Sequence, residues 1–119
     1  MSYGQETLDE LRPKTRELRR MIPEAYTGFA ALHAGALSDG ALDAKTKELI
    51  ALALSVGSQC DGCIASHARG AVRHGASKQE AAEAIGVTLL MGGGPSSIYA
   101  PRAYESFCEF YDAAHPDQE

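Results

Sequence analysis

The residues of this chain best suited to chemistry are Cys60, Cys63 and His67, in the run Cys60-Asp61-Gly62-Cys63-Ile64-Ala65-Ser66-His67. The two cysteines are three apart, and His67 lies four beyond Cys63. At about 100° per residue, the three side chains share one face of a helix. Two thiols at that spacing can close a disulfide and reopen it by exchange. The attacking species in such chemistry is the thiolate, and the pair falls where the sequence predicts the start of a helix. Unpaired N–H groups and the helix dipole lower a thiol pKa there. An imidazole one turn from Cys63 can accept the thiol proton or stabilise the thiolate. That i,i+4 spacing predicts Cys63 as the better-stabilised thiolate. Cys60, nearer the preceding loop, is expected to be the more exposed sulfur and the one that exchanges with a partner.

Glu48 joins the set if the helices before and after Gly57-Ser58 form an antiparallel hairpin. Glu48 is nine residues before Gly57 and His67 nine after Ser58, so the two would face each other. A carboxylate there could fix the imidazole tautomer and raise its basicity.

Elements that could hold these residues are all helical. Ala, Leu, Glu, Lys and Arg dominate, all helix formers, and no segment alternates apolar and polar residues as a strand would. The fold class expected is all-α, with about six helices and the cysteine pair at the start of a central one. Thr7-Leu8-Asp9-Glu10 has capping-box form and predicts a first helix from near Thr7 to about Met21. Pro23 can open a second, which carries Phe29, Leu32 and His33 and stops near Leu37 before the Ser38-Asp39-Gly40 turn. A third is expected from about Asp43 to Val56, and a fourth from about Cys60 to His74, stopped by Gly75. Ser77-Lys78-Gln79-Glu80 is a capping box for a fifth, ending near Met91. Gly92-Gly93-Gly94-Pro95 breaks the chain before a last helical region, about Ser96 to Ala113, where Pro101 allows an interruption.

Composition narrows the function classes. The 119 residues suit one domain, taken as 1–119, and the formal net charge of −5 argues against nucleic acid and anionic membranes. The densest basic stretch, Lys14 to Arg20, is broken by Glu17 and reads as a solvated helix face. The N-terminus has neither a basic region nor an apolar run, and the longest apolar stretch, Leu49 to Leu54, is too short to span a bilayer. A cytoplasmic location is therefore expected. In a reducing compartment a close cysteine pair points to catalysis or metal rather than a structural staple.

Glu48, then eleven residues, then the Cys60-to-His67 run resembles the signature of the carboxymuconolactone decarboxylase superfamily, in its alkylhydroperoxidase D-like branch. Leu42-Asp43-Ala44-Lys45-Thr46-Lys47-Glu48-Leu49-Ile50-Ala51-Leu52 is similar to the family's lead-in helix, and Met91-Gly92-Gly93-Gly94-Pro95 to a break found in many small members. The resemblance covers about residues 20 to 111. It implies a helical protein assembled as a homotrimer or homohexamer, with no cofactor. It also implies a cysteine pair that reduces hydroperoxides with electrons from a lipoyl-type or other dithiol partner. By position, Cys63 would attack peroxide and become a sulfenic acid, Cys60 would resolve it and later meet the reductant, and Glu48 and His67 would relay the proton. One departure stands out. Alkylhydroperoxidase D has a histidine of that relay just before the second cysteine, where this chain has Gly62. The decarboxylase branch lacks the cysteine pair, which argues against that reaction here.

Other readings of the same residues are a non-catalytic redox sensor, a protein disulfide reductase, or a zinc site. Cys60, Cys63 and His67 supply three zinc ligands without a fourth, and no metal is expected. His33, on an apolar helix, reads as a packed or surface histidine, and His74 as a helix end. Cys108, among Tyr104, Phe107 and Tyr111, reads as a buried, inert thiol. Tyr99 could line a pocket or pack in the core. The broad apolar faces of the fifth and sixth helices favour self-association in so short a chain.

Overall fold

The structure is a computed structural model that describes residues 3–117. Its order is α1 (Gln5–Met21), α2 (Pro23–Leu37), α3 (Ala44–Gly57), α4 (Asp61–Arg73), α5 (Lys78–Gly92) and α6 (Gly94–Ala114). Among the described residues there is no strand. α4 is the central helix. It pairs with α3 as a hairpin, packs on α6 and takes α1 across its outer side, while α5 closes the other flank of α3 and α6.

The core is built from Leu52 and Val56 of α3, Ile64, Ala68, Ala71 and Val72 of α4, Ile85 of α5, and Ala103, Phe107 and Phe110 of α6. Alanines on the inner face of α4 let neighbouring helices approach closely, and Phe107 fills the space between them. Neither α1 nor α2 contains a buried residue, although Phe29 and Leu32 make α2 strongly apolar.

Most helix boundaries agree with the expected punctuation. Asp43 caps α3 by accepting the Thr46 N–H at 2.8 Å. Ser77 and Glu80 form the expected capping box on α5. The first helix differs. It starts at Gln5, two residues before Thr7, and Thr7 donates its hydroxyl to the Tyr3 carbonyl instead of capping. Its cap comes from α6, where the Glu109 carboxylate accepts the Gly4 and Gln5 N–H groups at 3.3 and 2.8 Å. A carboxylate supplied across the fold satisfies orphan donors as a local cap would. The last helix also differs, running unbroken through Pro101. Proline removes one helical hydrogen bond. Buried Ala100, Ala103, Ser106 and Phe107 hold the segment in place around that gap.

Candidate active site

The turn between α3 and α4 determines where the first cysteine sits. The Gln59 N–H donates to the Val56 carbonyl and the Cys60 N–H to the Ser55 carbonyl, the paired bonds of a Schellman stop. Its left-handed position, usually glycine, is occupied by Gln59 at φ 54°. The same motif ends α4, with Gly75 at φ 88° in the equivalent place. Cys60 is thus the last residue of one helix stop and the first cap of the next helix. Its sulfur accepts the Cys63 N–H at 3.2 Å. The two sulfurs are joined as a disulfide, with Cα atoms 5.2 Å apart.

Exposure reverses the expected order of the two sulfurs. Cys63 is exposed and Cys60 is half-buried. Cys60 is drawn in by its two backbone tethers, whereas Cys63, in the first turn of α4, points out of the bundle.

Glu48 and His67 meet as the hairpin count required. Glu48 Oε1 lies 2.9 Å from His67 Nδ1. The Glu48 side chain is only 6% exposed and that of His67 19%, so the pair is largely withdrawn from water. A carboxylate on Nδ1 favours the tautomer with its proton there, leaving Nε2 as the free base. Room for the buried carboxylate comes from Gly70, since a Cβ at that position would run into the Glu48 carboxylate. Gly70 was not singled out from the sequence, although an interior helix glycine costs about 1 kcal/mol relative to alanine and so signals a packing reason.

His33, expected from the sequence to be a packed or surface residue, lies beside the candidate site. It stacks against the site histidine, its ring centroid 5.9 Å from that of His67 and the planes 10° apart. α2 therefore roofs the imidazole. The available signal was a lone histidine among apolar residues, which the sequence could not connect to α4.

Gly62 lies under α1. A Cβ there would come within 2.8 Å of Leu11 Cδ1, so the position where alkylhydroperoxidase D has histidine is covered by the first helix. Next to it, the Tyr3 hydroxyl donates to Asp61, between the cysteines. Burial, and then that bond, push the Tyr3 phenol up to about 12.

The remaining candidates lie outside this cluster. Cys108 is half-buried rather than buried, and its interaction with the Tyr104 hydroxyl raises the Tyr104 pKa. Tyr99 packs against the core, with the Arg102 guanidinium 5.1 Å from its ring centre. His74 caps the end of α4. Among the described residues no helix is long and apolar enough to cross a membrane, and no His, Cys, Asp and Glu cluster is arranged to hold a metal.

Known proteins share the sequence and fold of this chain. The carboxymuconolactone decarboxylase family model matches residues 23–106. An uncharacterized protein of Cupriavidus necator is 38% identical over 100 residues, covering 84% of this chain and 88% of its own. A carboxymuconolactone decarboxylase family protein of Legionella pneumophila has a crystal structure that superposes with a TM-score of 0.86 at 44% identity, covering 89% of this chain and 95% of that one. A family member from Thermotoga maritima, described as a candidate for involvement in an antioxidative response, superposes with a TM-score of 0.80 at 28% identity, covering 97% of each chain.

Proposed function

The chain belongs to the carboxymuconolactone decarboxylase family, and from that premise we propose that it is a thiol–disulfide oxidoreductase that reduces hydroperoxides through Cys60 and Cys63. The observation that carries this reading is the Cys60–Cys63 disulfide at the start of α4, one turn from an imidazole held by a buried carboxylate. The antioxidative description of the Thermotoga relative supports it.

The chemistry follows from the groups present. The Cys63 thiolate, on the exposed side, attacks the outer oxygen of the hydroperoxide. The O–O bond breaks, Cys63 becomes a sulfenic acid, and the alkoxide leaves with a proton from protonated His67. Cys60 then attacks the Cys63 sulfur, the S–S bond forms, and hydroxide departs as water after taking a proton. A dithiol partner reduces the disulfide by exchange and is itself oxidised. Glu48 holds His67 in the tautomer and orientation this relay needs. The partner is a lipoyl-type or other dithiol, and a cytosolic setting suits it, because thiol pools there keep the cycle supplied. The functional unit is a homotrimer or homohexamer, which accounts for the uncovered apolar faces.

Steady-state assay with cumene hydroperoxide and a dithiol, dihydrolipoamide or dithiothreitol, tests this. Repeated turnover that is lost in Cys63→Ser is the expected result. One stoichiometric oxidation without turnover, across both donors, would instead make the chain a redox sensor.

A further inference from the structure

Beside the Glu48–His67 pair, helices α2, α3 and α4 enclose a recess of about 330 Å³ that the proposed reaction leaves unexplained. Ala34 and Leu37 give it an apolar wall, and His33, Arg69, Arg73 and His74 line it with Glu48. The chain as a whole carries a net charge of −5, yet here two guanidiniums and two imidazoles gather around one carboxylate. That carboxylate is already hydrogen-bonded to His67.

Arg69 and Arg73 are one turn apart on the same face of α4, where like charges repel. Among the described residues neither forms an ion pair. Arg69 is half-buried. Burial, then Arg73, then Arg12, all lower its pKa, so the surroundings disfavour its charge. Two neighbouring guanidiniums, Arg69 half-buried and Arg73 exposed, offer a bound anion charge-assisted hydrogen bonds.

We propose that this recess is an anion subsite that takes the carboxylate of an aliphatic substrate whose reacting group extends along α4 to Cys63. The inference rests on the thiol–disulfide reading above. At 1.5 Å rise per residue, Arg69 and Arg73 lie roughly 9 and 15 Å along the helix from Cys63. The carboxylate and the reacting group must be separated by about that span, which fits a hydroperoxide several carbons down a fatty-acid chain. A dithiol bearing a carboxylate on an aliphatic arm has the same chemistry, and the two sources separate experimentally.

The test compares matched pairs. Linoleic acid hydroperoxide and its methyl ester form the oxidant arm, and dihydrolipoate and dihydrolipoamide form the reductant arm. Wild-type protein is expected to have a KM about tenfold lower for the acid than for the neutral compound in one arm, the scale of one charge-assisted hydrogen bond. Arg69→Gln with Arg73→Gln should erase that difference by raising the acid's KM to that of the neutral compound, and Arg69→Lys with Arg73→Lys should restore part of it. Preference in the oxidant arm supports the hydroperoxy acid, and preference in the reductant arm assigns the same subsite to the dithiol. Calorimetry of octanoate binding to the disulfide form provides a readout independent of turnover. Binding lost in the double Gln variant upholds the subsite even if no hydroperoxide is turned over, an outcome that would count only against the peroxidase reading. Equal KM values in both arms together with no octanoate binding would overturn the proposal.

Discussion

The two cysteines are chemically unequal, and the inequality can be measured. Cys63 is the exposed sulfur, and Cys60 Sγ receives the Cys63 N–H. Cys60→Ser is expected to give a sulfenic acid on Cys63 that dimedone labels, and Cys63→Ser none. The same exposure revises where the reductant meets the disulfide. Attack at Cys63 releases Cys60 as a thiolate held by a helix N-terminal N–H, a good leaving group. Cys60→Ser should therefore trap a mixed disulfide between Cys63 and a monothiol donor, with a tryptic map locating it. A mixed disulfide trapped on Cys60 in the Cys63→Ser variant, and none on Cys63, would reverse that order. Gly70 offers a second residue-scale check. Gly→Ala inside a helix ordinarily stabilises by about 1 kcal/mol. Here the added methyl displaces the Glu48 carboxylate from its buried place beside His67. Gly70→Ala should therefore lower the melting temperature and slow peroxide oxidation by at least about tenfold, within the range of general acid–base contributions.

At the scale of elements, what matters is how the helices stop and start. Both α3 and α4 end in Schellman motifs, but only α4 has glycine in the left-handed position. Gln59 keeps that conformation at a cost of about 1 kcal/mol. Gln59→Gly should raise stability by up to that amount in a denaturant melt with the disulfide intact, and a loss of stability would show that the glutamine side chain compensates. The starts of α3 and α5 respond to acid. The Asp43 carboxyl is held below its usual range by the Thr46 hydrogen bonds, and that of Glu80 by the Lys45 ammonium at 2.8 Å across the two helices. Both folded-state pKa values are depressed, so their stabilisation is present above the ordinary carboxylate range. It is lost as pH falls from about 4.3 downward. Thermal melts should show this decline, and Asp43→Asn with Glu80→Gln should flatten it.

Across the whole molecule, apolar surface is left uncovered in a systematic way. Phe29 and Leu32 on α2, Val87, Leu90 and Met91 on α5, and Ile98 on α6 are all more than half exposed. Patches of this kind on a small domain mark contact surfaces. Light scattering at micromolar concentration should report a trimer or hexamer, and Phe29→Glu with Leu32→Glu should shift it towards monomer, because the substitution places charge in an apolar contact. A stable wild-type monomer would leave α2 without a partner and refute the assembly.

The amino-acid sequence by itself determined the helix order, most of the helix ends and the place of the cysteine pair at the start of α4. These features depend on groups a few residues apart: Asp43 and Thr46, Ser77 and Glu80, and a cysteine pair on one turn. It also located Glu48 opposite His67, since equal distances from a tight turn place residues side by side in an antiparallel hairpin. Tertiary structure alone decided the rest. Glu109 caps a helix more than a hundred residues earlier in the chain, so Thr7 is left without that task. His33 roofs His67, Gly70 makes room for Glu48, and Leu11 covers Gly62. Arg69 and Arg73 line one recess with His33, Ala34 and Leu37 of α2 only in the folded chain. Each of these contacts depends on the distance and angle at which helices cross. Those are set jointly by the alanines, the aliphatic side chains and the two phenylalanines of the core, and no local spacing in the chain encodes them.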